Sequence, residues 1–339
     1  MNTSGQFILI PQYMDLFQCV GSSCEDTCCA GWIVPIDKAT YKKYKSVKEP
    51  HLSSKFKTAI KRNRSNPTDH HYASITLSGC KSCEILTEEG LCNIQLQLGE
   101  DYLSTTCATY PRVTNIINGS YEISASMSCP EAARLALLNP EPMTFYEIAP
   151  KTRQKHSFQV QMNPSSFSCN QIQHHFWGLR IFSIETIQNR NYSITDRVLL
   201  LGLFYQNVQE FITNGTVSEI PNLIENYRQL IQNDSLREAL TQIPVEATAQ
   251  IQLLKELVDL RIHIGTENKR YLAFFQSFLD GLSYNDEDDI ESISRRYQSA
   301  YASYYQPFMD DHSYILENYL VNHIYKNTFP FGNGNPLEN

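Results

Sequence analysis

Apolar positions along this chain follow one pattern before residue 170 and another after it. From there onward they recur at three- and four-residue spacing, as at Leu253, Leu254, Leu257, Leu260 and Ile264, the period of a helix face. The pattern predicts helices over 171–189, 195–213, 219–232, 245–264, 267–281, 286–305 and 312–327. Between residues 19 and 129 no such period holds, and Gly21, Gly31, Gly79, Gly90, Gly99 and Gly119 punctuate a loop-rich stretch. Regular elements stand out within it. Asp37 precedes KATYKKYKSVK as the N-cap of a short helix. Residues 112–125, RVTNIINGSYEISA, read as a hairpin, because Asn118-Gly119 tolerates the positive φ angles of a type I′ turn. Pro130 fits the first turn of a helix running to Leu138. Residues 139–165 carry Pro140, Pro142, Pro150 and Pro164 and read as a crossover or linker. The expected fold is mainly α. A cysteine-rich, loop-rich N-terminal region (1–138) with a small β-hairpin leads through 139–165 to a multi-helix C-terminal domain (166–330) and a flexible tail (331–339).

Composition narrows the functional classes. At 42% hydrophobic, the 339 residues are those of a globular protein. With 28 Lys and Arg against 36 Asp and Glu, a net charge of −8, neither nucleic acid nor a membrane is the expected partner. The apolar stretch Val198 to Tyr205 is far shorter than the roughly 20 residues that span a bilayer. MNTSGQFILIPQY lacks a cationic leader and meets Pro11 at once, so no signal peptide is expected there and the reading is cytoplasmic.

That compartment changes how the ten cysteines are read. A reducing environment keeps thiols free, so a dense set points to a metal site before a disulfide framework. Cys19, Cys24, Cys28, Cys29, Cys80, Cys83, Cys92, Cys107 and Cys129 all precede residue 130, and Cys169 alone lies beyond. Thiolates are soft ligands for zinc, copper(I) or an iron-sulfur cluster. Adjacent Cys28 and Cys29 with a single CxxC (Cys80, Cys83) do not make a zinc ribbon. Nor do Cys24 and Cys28 complete the CxxxCxxC of radical S-adenosylmethionine enzymes, since the third position is Gly31. Cys80 and Cys169 read as bystanders, packed as small apolar groups.

FQCVGSSCEDTCCAGWIVPIDKATYKKY, the later CEIL and EEGLCNIQLQLGEDYLSTTCATYPR, SCPEAARLALL and the terminal YILENYLVNHIYKNTFPF together resemble the flagellin lysine-N-methylase (FliB) family. Residues 83–112 also resemble the zinc- or iron-chelating cysteine-cluster domain group. The resemblance implies methyl transfer from S-adenosylmethionine to surface lysines of flagellin, with a 4Fe-4S cluster held by cysteines. Carried over residue by residue, the ligand candidates are Cys28, Cys29, Cys83, Cys92 and Cys107, followed by Cys19, Cys24 and Cys129. Two other readings remain open: a non-enzymatic zinc- or iron-chelating module whose helical half binds a partner protein, and an electron-transfer protein.

Methylation needs a neutral amine, although free lysine has a pKa of about 10.4. Tyr110 and Arg112 in TYPR, and Tyr314, Glu317 and Asn318 in the last helix, are candidates to line such a site. For polar residues on that helix face such as Asn318 and Asn322, satisfying nearby backbone groups is the more frequent role. No glycine-rich nucleotide turn lies inside the chain; Gly332-x-Gly334 falls in the polar tail. Asn322-His323 falls in a helical stretch and does not make a SET-type signature. His174-His175 reads as a helix start packed on the core, and the DEDD at 286–289 as a solvated helix start.

Overall fold

The computed structural model describes residues 7–78, 82–149, 157–265, 269–285 and 287–332. Cys80, Pro150, Asp286, Gly334 and most of the expected tail lie outside them. Two compact units form, Met1–Tyr227 with Tyr314–Asn339, and Arg228–Ser313.

The first unit starts with β1 (Ile8–Pro11) and a single turn, α1 (Tyr13–Leu16). There follow β2 (Val34–Ile36), α2 (Lys38–Ser46), α3 (Pro50–Ala59), β3 (Ile60–Arg62) and β4 (Ala73–Ile75). Next come α4 (Asn93–Leu98), α5 (Thr105–Thr109), the hairpin β5 (Arg112–Ile117) and β6 (Ser120–Ala125), and α6 (Pro130–Leu137). After β7 (Phe145–Ile148) and β8 (Phe158–Met162) the chain is helical: α7 (Phe176–Ile187), α8 (Ile194–Thr213) and α9 (Ile220–Gln232).

The local signals act as expected. Asp37 accepts from the Thr40 amide and caps α2, Pro130 opens α6, and Asn118 and Gly119 take φ of 50° and 82°, as a type I′ turn requires. The hairpin is the centre of a larger sheet, in the order β7-β1-β6-β5-β8, with β1 parallel to β6 and β8 parallel to β5. Strands β2, β4 and β3 form a second, antiparallel sheet.

Helix α15 (Tyr314–Lys326) returns to this unit and packs on α6 and α7. Val321 and Ile324 join Tyr13, Ala125, Ala132 and Ile187 in one core. Polar groups fix the seam. The Tyr13 hydroxyl donates to Asn322 Oδ1 (2.7 Å) and accepts from the Ala125 amide (2.8 Å), while Asn322 Nδ2 donates to the Ala125 carbonyl. The Tyr325 hydroxyl donates to the Leu9 carbonyl at 2.8 Å. Each of these buried donors therefore has an acceptor, which is why the polar residues of α15 are tolerated inside.

The second unit holds α10 (Arg237–Thr241), α11 (Ala247–Ile264), α12 (Lys269–Gly281), α13 (Ile290–Ala300), a π-helical turn over Tyr301–Tyr305, and α14 (Gln306–His312). Asp289 caps α13 by accepting from the Ser292 amide, in keeping with the DEDD stretch as a helix start. No described helix is long and apolar enough to cross a membrane.

Candidate metal centre

The second sheet and α2 to α5 enclose a core of Val34, Ile36, Leu52, Ile75, Ile85 and Ile94, among others, with Cys83 inside it and Cys29, Cys92 and Cys107 against its edge. Each thiol arrives by a definite backbone device. Ala30 bridges to Ser82, and the Cys83 amide donates to the Cys29 carbonyl at 2.7 Å, so the CC pair and Cys83 lie side by side. Gly31, at φ +80°, then turns the chain into Trp32, whose indole N–H donates to the Cys28 carbonyl at 2.9 Å. Leu86 bridges to Cys92, which opens α4 as its N-cap. Cys107 sits in the first turn of α5, its amide donating to Ser104 Oγ at 3.2 Å.

The electrostatics show which thiols feel one another. A hydrogen bond from Cys29 lowers the Cys28 pKa to about 7, and donating that bond pushes Cys29 well up. Burial pushes Cys107 up to about 12, with Cys92, Cys83 and Cys28 adding to the rise. Cys83 and Cys92 are raised as well, first by burial. Cys28, Cys29, Cys83, Cys92 and Cys107 therefore form one group within electrostatic reach of one another. Cys129 responds to Cys24 and Cys19 instead, and those three form another. At the open end of the hairpin Arg112 pairs with Ala125 and the Tyr110 hydroxyl meets Ser128 Oγ at 3.2 Å, and Tyr110 feels a thiol of each group, Cys129 and Cys28. An ion pair between Glu25 and Arg134 of α6, at 2.7 Å, ties the Cys24 loop to the helix that Cys129 caps.

Every described cysteine is a free thiol. Among the described residues no three His, Cys, Asp or Glu side chains are arranged to hold a metal ion as the chain stands. The donor chemistry nevertheless fits a soft cation. Cys29, Cys83, Cys92 and Cys107 are hard to ionise, for burial and for the charge of neighbouring thiolates, while Cys28 ionises readily beside them; a thiophilic metal reverses the penalties on the four.

The other sequence candidates separate. Tyr110 lies beside the thiols, its ring 6.1 Å from that of Trp32, and burial raises its pKa. Arg112 stacks its guanidinium over Phe17 at 5.1 Å. Tyr314 opens α15. Glu317 is wholly buried, gripped by Arg190 (2.9 Å) and Arg197 (2.7 Å). Asn318 Nδ2 donates to the Asn139 carbonyl at 2.8 Å, while among the described residues its buried Oδ1 meets no hydrogen-bond donor. His175 Nε2–H donates to the Cys169 carbonyl, 2.8 Å away, at the start of α7. The sequence did not single out Trp32 and Ser104 as parts of the centre. Their signal was their place between cysteines: Trp32 three residues after Cys29, and Ser104 three before Cys107.

The FliB lysine N-methylase C-terminal domain family matches residues 180–339. The chain is 25% identical over 329 residues to a lysine-N-methylase of Salmonella typhimurium (strain LT2), covering 94% of this chain and 78% of that protein. The same figures hold for a lysine-N-methylase of Salmonella choleraesuis. It is 35% identical over 141 residues to the flagellar biosynthetic protein FliU of Salmonella muenchen, covering 40% of this chain and 80% of that protein. No solved structure matches it.

Proposed function

The chain belongs to the FliB family, and on that premise we propose that it is a protein methyltransferase that modifies lysine ε-amino groups of flagellin, with S-adenosylmethionine as methyl donor. The observation that carries this reading is the 94% of the chain that aligns with lysine-N-methylases, which takes in both the cysteine-bearing region and α15. In the reaction the neutral lysine Nζ attacks the sulfonium methyl carbon. The N–C bond forms as the C–S bond breaks, its electron pair stays on sulfur, and the resulting ammonium gives up a proton. Tyr110 and Ser128, hydrogen-bonded at the edge of the thiols, are the polar groups proposed to orient the amine.

Cys28, Cys29, Cys83, Cys92 and Cys107 supply more than the four thiolates a 4Fe-4S cluster takes, and this group would hold it. A bound cluster supplies redox capacity and clamps the loops that carry its ligands. The site of action is the cytoplasm, where thiols stay reduced.

The test is an anaerobic incubation of cluster-replete protein with flagellin and S-adenosylmethionine labelled in its methyl group. Label on lysine supports the reading, and none overturns it. Absorbance and metal analysis of the same preparation separate a brown iron-sulfur protein from a colourless zinc one. The zinc outcome, with no label transferred, would favour the chelating module that binds a partner protein.

A further inference from the structure

Helix α11 carries two apolar faces. Ile251 and Val258 line an apolar groove in the second unit, where α11 packs on α13. On the other face stand Leu253, Leu257, Leu260 and Ile264, exposed by 57%, 54%, 55% and 67%. Their spacings of four, three and four residues match the a and d positions of a heptad seam between two helices over about one and a half heptads. Leu253 and Leu260 take the d positions of that repeat, and Leu257 and Ile264 the a positions.

The same register puts Glu256 at g and Arg261 at e. A g residue and the e residue five places on, in the neighbouring helix, are the pair that meets across two parallel strands of a coiled coil. Two copies of α11 side by side and parallel therefore form two Glu256–Arg261 pairs, one along each flank of the seam. In an antiparallel pair g faces g and e faces e, so Glu256 meets His263 and Arg261 meets Leu254, and neither pair forms. Isoleucine at a with leucine at d, as at Ile264 and Leu260, suits two strands. We infer that this face binds a second copy of the chain, α11 against α11, parallel, about a two-fold axis that makes the surface self-complementary. The inference does not depend on the methylation reading. It rests on α11 alone.

Light scattering on the full chain at tens of micromolar tests it. The wild type is expected to be a dimer. Leu257→Lys with Leu260→Lys yields a monomer with an unchanged far-ultraviolet circular dichroism spectrum. Glu256→Arg weakens the dimer about tenfold by setting like charges across both flanks, and adding Arg261→Glu restores it. A monomeric wild type, a dimer indifferent to the lysine pair, or a charge reversal that Arg261→Glu fails to rescue would each overturn the assignment. So would a seam that only flagellin protects. If the lysine variant unfolds, the charge swap, which leaves the apolar seam intact, decides.

Discussion

Glu122 and Arg180 face one another as a forked pair across the main core. Arg180 Nη1 and Nη2 donate to Glu122 Oε2 and Oε1 at 2.7 and 2.6 Å, with side chains only 1% and 3% exposed. Phe176 and Trp177 stack on the guanidinium at 4.6 Å, so β6 and α7 are joined through one desolvated contact. Breaking a buried pair from one side leaves a charge without a counter-ion. Arg180→Met is therefore expected to destabilise by about 3–5 kcal/mol. Glu122→Leu with Arg180→Met is expected to be milder than either single change. Denaturant midpoints of the three variants check this, and strictly additive losses would contradict it.

Glu317 is the second buried carboxylate, and it holds two arginines: Arg190, which donates from Nε and Nη2, and Arg197, from Nη1. The sequence makes it a candidate to line the methylation site, and its ion-pair partners are these two arginines. Glu317→Gln should lower the melting temperature more than Arg190→Ala does, because Arg190 is partly exposed while Arg197 is buried and loses its counter-ion. Activity per folded molecule should stay within about twofold of wild type. A thousandfold loss of turnover in a variant of normal stability would place Glu317 at the chemistry instead.

The contrast between these residues and the helices shows what the sequence could reveal. A helix spanning 195–213 was expected and Ile194–Thr213 is found; 245–264 became Ala247–Ile264. Long elements with one buried face announce their period. Strands β1, β7 and β8 did not, since four or five residues are too few for an alternation to show. The central strands hide their role too: Asn115, Glu122 and Ser124 are buried there, so both faces are covered and apolar residues do not alternate with polar ones. Glu122 could not be matched to Arg180, because nothing in the chain between them marks the contact. The cysteines were legible as a region but not as two groups. That division depends on tertiary neighbours, Cys92, Cys83 and Cys28 for Cys107 but Cys24 and Cys19 for Cys129, which spacing along the chain does not mark.

Asp37 gives the acid side of stability a specific source. Burial by itself would raise its pKa. The Thr40 amide and hydroxyl, both at 2.8 Å, and those of Thr105 outweigh burial and hold the carboxyl below its ordinary value. A folded-state pKa below the unfolded one stabilises the fold above about pH 3.9, the unfolded value, and this contribution is lost as pH falls through the folded value. Asp37→Asn should melt below wild type at neutral pH, and the gap should narrow as pH falls below about 4. Melting curves over a pH series check the sign, and a gap that widens in acid would refute it.

The division of thiols predicts that cysteine substitutions fall into two classes. Cys92 and Cys107 belong to the group with Cys28, Cys29 and Cys83, at the edge of the core that α2 to α5 surround. Serine at either position removes a soft donor that oxygen replaces poorly. On the proposed cluster, bound iron and its visible absorption should fall several-fold. Loss of the metal should lower the melting temperature too, because ligand binding is coupled to folding of the loops that supply the ligands. Cys129 faces Cys24 and Cys19 at the start of α6, and Cys129→Ser should keep the iron and its absorption while leaving that second group one thiol short. Equal iron loss in all three variants would mean that the two groups act as one centre.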